Sequence, residues 1–393
     1  MSITERTDGT MTLITTTEQL SAFCAPLHEC AYITVDTEFM REKTYWPQLC
    51  LVQVAGPDDF AAIDPLADGI DLQPLFDLLL DESVIKVFHA ARQDLEIFLH
   101  LMDALPHPIF DTQIAAMVCG FGESVGYDHL ISKLVKVKLD KGSRFTDWAL
   151  RPLSERQIEY ALGDVTHLRV AYEKLAARLE RENRRGWIEE EMTVLTEPET
   201  YRTDPMKAFR RIKSRGGKGQ FLAVLRELAA WRELEARRRD VPRNRVLRDE
   251  TLVEIAHHVP SSPAALAKSR GLGDKAAHGP MGKHILEAVK RGRELPKSEW
   301  PKPPSKPDLP NGIGPIIDLM KVLLKKVAED THVAGRLIAN SADIELLAGL
   351  GEDADIQALR GWRREIFGND ALRLRSGELA LAVEGKRLVV QER

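Results

Sequence analysis

The sequence predicts an α/β domain with a central sheet in the first half of the chain, followed by one or two all-helical domains. At 393 residues the chain is longer than one ordinary domain. Most strand-like runs come early, and apolar residues with helical spacing dominate the rest. Strands that lead into helices in this order are typical of layered α/β folds.

The elements of the α/β domain can be placed one by one. Four runs rich in β-branched residues and bounded by turn residues are predicted strands, namely YITVDTEF (32–39), LCLVQVA (49–55), FAAID (60–64) and VIKVFHA (84–90). Shorter helices are predicted over LQPLFDLLL (72–80), LEIFLHLM (95–102) and TQIAAMVC (112–119). One long helix is predicted from Leu153 to about Arg185, and Ser154 with Gln157 forms the capping box that marks its start.

Two proline-bearing segments divide the chain. The segment 196–205 is polar, and the charge changes sign there. The segment 295–310 holds six prolines, which block helix and inner strand alike and predict a semi-rigid connector. The predicted domains are therefore the α/β domain over 1–200, a helical domain over 206–294, the connector 295–310, and a second helical domain over 311–393 that ends in a hairpin.

The charge is unevenly distributed along the chain. The net charge of −5 comprises −16 over residues 1–201, +9 over 202–249 and +2 over 250–393. Fifteen basic and six acidic residues in 202–249 leave most cations without a partner in that segment, which favours binding to backbone phosphates. For single residues the alternative is a solvated helix surface. The candidate nucleic-acid-binding residues are Lys207, Arg210, Arg211, Lys213, Arg237, Arg238, Arg239, Arg243 and Arg245.

Several classes of protein are disfavoured. No run approaches the roughly 20 apolar residues of a membrane span, and MSITERTDG lacks the apolar core of a signal peptide. We therefore expect a cytoplasmic protein with no membrane partner, and no obligate protein partner is evident. The four cysteines (Cys24, Cys30, Cys50 and Cys119) show no zinc-type spacing, and we expect buried, reduced thiols.

The first candidate for chemistry is the pair Asp36 and Glu38. On a strand, side chains alternate, so Thr34, Asp36 and Glu38 share one face. Hard carboxylate oxygens at such spacing suit Mg²⁺ or Mn²⁺. By itself the pattern is weak, because Asp-x-Glu occurs three times in the chain and solvated charge is the alternative.

Two further fragments add candidates. Asp94 falls just after a predicted strand, where sheet proteins often place site residues, although it could instead only stabilise a helix N-terminus. Tyr160 and Asp164 lie one turn apart on the long helix and face the same way. The alternative for this pair is a surface hydrogen bond. Only the combination and order of the fragments is specific.

That combination resembles the DEDD exonuclease superfamily, in its tyrosine-containing DEDDy branch. The blocks that surround it resemble the ribonuclease D family over residues 11–195, namely VDTEFMREKTYWPQLCLVQV (35–54), FHAARQDLEIF (88–98), FDTQIAA (110–116) and LDKGSRFTDWALRPLSERQIEYALGDVTHL (139–168). Residues 221–260 resemble an HRDC module, a helical nucleic-acid-binding domain. In that family a second such module usually follows, and residues 311–393 occupy its place.

The resemblance implies a ribonuclease H-like (DnaQ-like) exonuclease domain with a central mixed sheet, followed by one or two all-α HRDC-type domains. It implies two divalent metal ions, Mg²⁺ or Mn²⁺, held by the four acids Asp36, Glu38, Asp94 and Asp164. Tyr160 would orient the attacking water. The implied activity is 3′→5′ exoribonuclease cleavage that releases 5′-mononucleotides from RNA 3′ ends, with precursor tRNA as the family's usual substrate.

Two alternatives stay open at this stage. One is a 3′→5′ DNA exonuclease with the same site, because recognition of the 2′-hydroxyl leaves no readable mark in the sequence. The other is a non-catalytic RNA-binding scaffold that has kept the fold. The presence of all four acids and the tyrosine argues against the scaffold.

Overall fold

The computed structural model describes residues 13–139, 142, 146–214, 217, 219–302 and 308–393. The predictions made for the N-terminal stretch, for residues 140–141 and 143–145, and for Pro303, Pro304 and Pro307 lie outside these ranges. Among the described residues, no helix combines the length and the apolar character needed to cross a bilayer.

The α/β domain is built on a six-stranded mixed sheet. Its strands are β1 (Leu13–Ile14), β2 (Tyr32–Met40), β3 (Gln48–Ala55), β4 (Phe60–Ile63), β5 (Ile85–Phe88) and β6 (Ile109–Asp111), and their spatial order is β1-β4-β3-β2-β5-β6. β2 lies near the centre, antiparallel to β3 and parallel to β5. The mixed sheet that the resemblance implied is confirmed. The edge strands β1 and β6 are only two and three residues long, too short for the sequence pattern to reveal them.

Seven helices accompany this sheet in the described part of the domain. They are α1 (Thr17–Cys24), α2 (Gln73–Leu80), α3 (Arg92–Met102), α4 (Thr112–Val118), α5 (Tyr127–Leu134), α6 (Glu155–Arg181) and α7 (Arg185–Leu195). The side chain of Ser154 accepts from the backbone N–H of Gln157, and the Gln157 side chain accepts from that of Ser154, so α6 begins where the capping box predicted.

Two hydrophobic cores fix the helices to the sheet. The larger one joins Ile33 and Val35 of β2 to Leu95 and Phe98 of α3, all fully buried. The smaller one packs the first half of α6 against β3 and β4. Together they hold the first turn of α3 and the middle of α6 close to the central strand β2.

The first helical domain contains α8 (Gln220–Arg239), α9 (Arg243–Val246), α10 (Asp249–His258), α11 (Pro263–Leu266), α12 (Asp274–His278) and α13 (Pro280–Glu294). α8 buries Leu222, Leu225 and Leu228, which lie on one face of the helix. Gly292 lets α13 approach α8 closely, because a Cβ there would lie 2.5 Å from the Cα of Val224.

The C-terminal segment contains α14 (Gly314–Thr331), α15 (Gly335–Ile338), α16 (Ser341–Leu350), α17 (Gly361–Arg363) and α18 (Asn369–Ser376), then an antiparallel hairpin of β7 (Leu379–Glu384) and β8 (Arg387–Glu392). Met320, Leu323 and Val327 of α14 are buried in its core. Leu319 of the same helix is 46% exposed and lies outside this buried face.

Both helical segments lie against the α/β domain. On one side, the backbone N–H groups of Tyr45 and Trp46 donate to the Asp240 carboxylate at 3.0 Å. On the other side, Trp187 stacks on Trp362, with ring centroids 4.6 Å apart. The buried Arg363 strengthens the second contact through ion pairs with Glu190 and Glu191.

The cysteines are free thiols. Cys24, Cys50 and Cys119 are buried, and burial raises the pKa of each, so these thiols stay protonated at neutral pH. The expectation of burial is wrong for Cys30, which is partly exposed at the surface.

Lys86 of β5 is fully buried, and its ammonium donates to the carbonyl oxygens of Asp81 and His107. Burial lowers its pKa from 10.5 to about 8. Between these two values the unfolded chain binds more protons than the folded one, so stability rises with pH. We expect the free energy of unfolding of the wild type, relative to Lys86→Met, to increase by about 2 kcal/mol from pH 7 to pH 9.5 in urea titrations. A difference that does not change with pH would contradict the lowered pKa.

Candidate active site

Three of the four predicted acids converge where α6 crosses β2. Carboxylate oxygens of Asp36, Glu38 and Asp164 all lie within 4.8 Å of one another. The crossing is fixed by Thr34, whose hydroxyl donates to the backbone carbonyl of Val165 at 2.9 Å. Oxygen ligands around one Mg²⁺ at about 2.1 Å lie up to about 4.2 Å apart, so a small adjustment would let this group hold a divalent cation.

The electrostatics of the cluster favour a cation. Burial raises the pKa of Asp36, and the negative charge of Asp164 raises it further. Two neighbouring carboxylates in such a place need a positive charge or a proton to offset their repulsion. The register of β2 against β3 shifts between Glu38 and Phe39, and such a bulge re-aims side chains next to a site.

Asp94 lies beside this cluster rather than within the group that spans 4.8 Å. It occupies the first turn of α3, is 7% exposed, and accepts a hydrogen bond from the Thr37 hydroxyl. Burial and then the charge of Asp36 raise the pKa of Asp94, which shows that the two carboxylates are neighbours. Thr37 points to the opposite face of β2 from Asp36, so Asp94 is anchored from that face of the strand.

Asp111 orders the loop that presents Asp94, a role that was not predicted from the sequence. Its carboxylate accepts from the backbone N–H groups of Ala90 and Ala91 at 3.1 and 2.9 Å. It also caps α4 by accepting from Gln113 and Ile114. Ala90 has a φ of 60°, an unfavourable conformation for a residue other than glycine. The only signal in the sequence was the position of Asp111 in the block FDTQIAA.

The tyrosine predicted for the mechanism lies one turn before Asp164. Tyr160 packs against Trp148, with ring centroids 6.2 Å apart. A second tyrosine, which the sequence analysis missed, supports the same turn of α6. The hydroxyl of Tyr127 donates to the backbone carbonyl of Asp164 and lies 3.3 Å from that of Gly163. Tyr127 thereby fixes the backbone that carries the Asp164 carboxylate.

His89 has a structural role beside the site. Its Nδ1 lies 3.0 Å from the hydroxyl of Thr112, and its ring contacts that of Tyr127. Burial lowers its pKa, so the ring is neutral at physiological pH.

The predicted nucleic-acid-binding residues fall into two groups. Arg237 and Arg243 are half-buried and bind Glu233 and the Tyr45 hydroxyl at the contact between domains. Exposed side chains are found at the other seven positions, Lys207, Arg210, Arg211, Lys213, Arg238, Arg239 and Arg245. Arg238 forms a bidentate pair with Glu235. Lys207 lies 3.9 Å from Asp204, so four of the nine candidates, Lys207, Arg237, Arg238 and Arg243, have an acidic partner within the segment.

In this mixed-sheet domain the central strand β2, the helix α3 and the crossing helix α6 each contribute carboxylates to one region. This arrangement defines a metal-dependent 3′→5′ exonuclease. A family model described as a 3′-5′ exonuclease matches residues 11–180, and the HRDC domain model matches residues 221–289.

Known relatives identify the family. Ribonuclease D of Granulibacter bethesdensis is 49% identical over 380 residues, which cover 96% of this chain and 95% of that protein. Ribonuclease D of Acidiphilium cryptum is 50% identical over 379 residues, covering 96% of each. The crystal structure of Escherichia coli RNase D, described as an exoribonuclease involved in structured RNA processing, superimposes with a TM-score of 0.80 at 33% identity, over 94% of this chain and 99% of that one. The chain belongs to the ribonuclease D family and is a 3′→5′ exoribonuclease.

Proposed function

We propose that this exoribonuclease trims structured RNAs from their 3′ ends, including precursor tRNA, and releases 5′-mononucleotides. The observation that carries the proposal is the convergence of Asp36, Glu38 and Asp164 within 4.8 Å, with Asp94 beside them. The similarity to the E. coli enzyme, described as acting in structured RNA processing, supports the substrate class.

The acids present fit a pair of Mg²⁺ or Mn²⁺ ions. Asp36, Glu38 and Asp164 would hold one ion, and Asp94 together with Asp36 would hold the other, in part through water. When bound, such ions acidify the attacking water and stabilise the charge on the departing 3′-oxygen. If the carboxylates only hold the cations, they do not align the attacking water. Another side chain of the protein must therefore orient that water.

Tyr160 is the side chain we assign to that task. A free phenol has a pKa near 10, so its contribution is a hydrogen bond that aligns the water, rather than removal of a proton. Tyr127 and Thr37 position the acids, since the Tyr127 hydroxyl donates to the backbone carbonyl of Asp164 and the Thr37 hydroxyl donates to the Asp94 carboxylate.

Tyr160→Phe is expected to lower kcat by about 10-fold or more, because the aligning hydrogen bond is lost while every acid stays in place. Binding of Mn²⁺ and of RNA should be unaltered. The measurement is single-turnover cleavage of a labelled oligoribonucleotide. Tyr172→Phe is the matched control, since Tyr172 lies on the same helix and packs against Tyr32 and Phe110 instead. A rate equal to that of the wild type would remove Tyr160 from the mechanism.

The proposal as a whole is tested with a 5′-labelled precursor tRNA that carries extra 3′ nucleotides. With Mg²⁺ or Mn²⁺ the label should move down in steps of one nucleotide, and the released product should be 5′-mononucleotide. Equal cleavage of a matched DNA strand would favour the alternative of a DNA exonuclease. Binding of the RNA without any cleavage, with either metal, would favour the scaffold.

A further inference from the structure

A large cleft separates the α/β domain from the first helical domain. Its volume is about 680 Å³, within the usual range of ligand pockets. One wall contains Arg41 and, on α3, Arg92; the segment 199–203 forms its floor; and Arg211, Arg237 and Arg243 lie on the opposite wall. We call this feature the arginine cleft.

More basic than acidic residues line the cleft. Six arginines line it, against three acidic residues, Glu96, Asp103 and Glu199. Arg41 forms a bidentate pair with Glu96, and Arg202 pairs with Asp103. Arg237 and Arg243 share Glu233. Four of the six guanidinium groups therefore have an acidic partner.

The other two arginines, Arg92 and Arg211, have only neutral partners among the described residues. Arg92 lies 3.5 Å from the backbone carbonyl of Thr200, and Arg211 lies 3.3 Å from the hydroxyl of Thr203. Both partners are neutral oxygens, and within the described ranges neither arginine forms an ion pair with an acid. Because one residue belongs to each domain, the cleft presents positive charge from both walls. An anion that enters it would meet two guanidinium groups with unused donors.

Residues of the cleft lining are close in sequence to two of the predicted metal-binding acids. Arg92 and Glu96 each lie two residues from Asp94 on α3, and Arg41 lies three residues after Glu38. Burial raises the pKa of Tyr201 on the cleft floor to about 12, while the charge of Arg92 lowers it and those of Asp111 and Asp94 raise it. Tyr201 is thus within electrostatic reach of Asp94, one of the acids that would hold a metal ion.

Aromatic side chains stand beside the arginines. The ring of Trp46 stacks on His100, with centroids 4.1 Å apart and planes 7° apart, and Tyr201 lies in the same lining. Cationic grooves with aromatic walls are typical of proteins that hold single-stranded nucleic acid through its backbone and its bases.

We propose that the arginine cleft binds the phosphodiester backbone of the unpaired RNA strand just upstream of the 3′-terminal nucleotide, with Arg92 and Arg211 each contacting a phosphate. This inference rests on the proposed function, since it names where the remainder of the same substrate lies. Binding of phosphates in the cleft makes the enzyme favour RNAs whose unpaired 3′ tails are long enough to reach from the carboxylates into the cleft.

The test compares full-length wild type, Arg92→Gln, Arg211→Gln and the double variant on single-stranded RNAs from 2 to 10 nucleotides. For each protein the ratio of kcat/KM on the decamer to that on the dinucleotide is measured. Loss of a hydrogen bond to a charged group costs on the order of 10-fold, so this ratio should fall at least about 10-fold in the double variant. Arg387→Gln, on the exposed C-terminal hairpin, is the matched control and should keep the wild-type ratio.

A second measurement is independent of cleavage. Decamer binding in Ca²⁺ or EDTA is followed by fluorescence anisotropy at several salt concentrations, and the double variant should lose about 1.4 from the log–log salt slope, since each single-strand phosphate contact contributes about 0.7. An unchanged slope, or equal losses of kcat/KM on every length, would overturn the cleft assignment. Binding of a 5′-mononucleotide as tight as that of the decamer would also overturn it. Absence of cleavage by the wild type, with the salt slope altered as expected, would instead count against the proposed function.

Discussion

Asp36→Asn is expected to lower the cleavage rate by at least about 10³-fold while the fold stays intact. The charge of Asp164 raises the pKa of Asp36, and the charge of Asp36 raises the pKa of Asp94, so Asp36 is the acid that we assign to both halves of the site. An amide removes one negative charge from the group of Asp36, Glu38 and Asp164 and with it the main attraction for a divalent cation. Single-turnover cleavage with saturating metal measures the effect.

The same substitution should change thermal stability in two opposite ways. Without metal, the variant should unfold at a slightly higher temperature than the wild type, because burial and Asp164 make the charged form of Asp36 unfavourable. With Mn²⁺ at about 100 times its dissociation constant, the wild type should gain about 2.7 kcal/mol and the variant far less. Asp343→Asn alters another Asp-x-Glu pair, at the start of α16, and should affect neither cleavage nor the metal-linked shift. An active Asp36→Asn enzyme would refute the metal assignment.

The central strands and the acids were predictable because local patterns specify them. Alternation along β2 placed Asp36 and Glu38 on one face, and the capping box at Ser154 fixed the start of the helix that carries Asp164. The position of Asp94 was predicted less well. The hydrogen bond from Thr37 depends on how α3 meets the far face of β2, and no spacing in the sequence reports that contact.

The basic segment shows where counting along the chain fails. Charge balance within 202–249 gives the number of cations without an acidic partner, but not which cations these are. In the structure Arg237 and Arg243 both bind Glu233, and their second partner is Tyr45, almost 200 residues away in the other domain. Conversely, Arg92 lies in the acidic half of the chain, yet its guanidinium group faces the arginine cleft. Contacts between domains, rather than segment composition, decide which cations remain available to a phosphate.

Asp111→Ala is expected to lower kcat by about 10²-fold, although Asp111 is assigned no contact with metal or substrate. Its carboxylate is the acceptor for the N–H groups of Ala90 and Ala91, and Ala91 is fully buried. Without that acceptor the buried N–H is left unpaired, and the left-handed conformation of Ala90 loses its support. The loop should relax and move Asp94 away from Asp36. Displacement of a site group by about 1 Å can cost about 10²-fold in rate.

Asp111→Asn separates positioning from simple helix capping. The retained oxygen can still accept from Ala90, Gln113 and Ile114, but the amide nitrogen replaces the oxygen that accepts from Ala91. We therefore expect an intermediate loss of kcat, and a higher Mn²⁺ concentration for half-maximal activity in both variants. Asn340→Ala removes the comparable cap of α16, far along the chain, and should lower the melting temperature without altering the metal requirement. If Asp111→Ala behaves like Asn340→Ala, Asp111 only caps α4, and the geometry of Asp94 must be maintained by Thr37 and the packing of α3 alone.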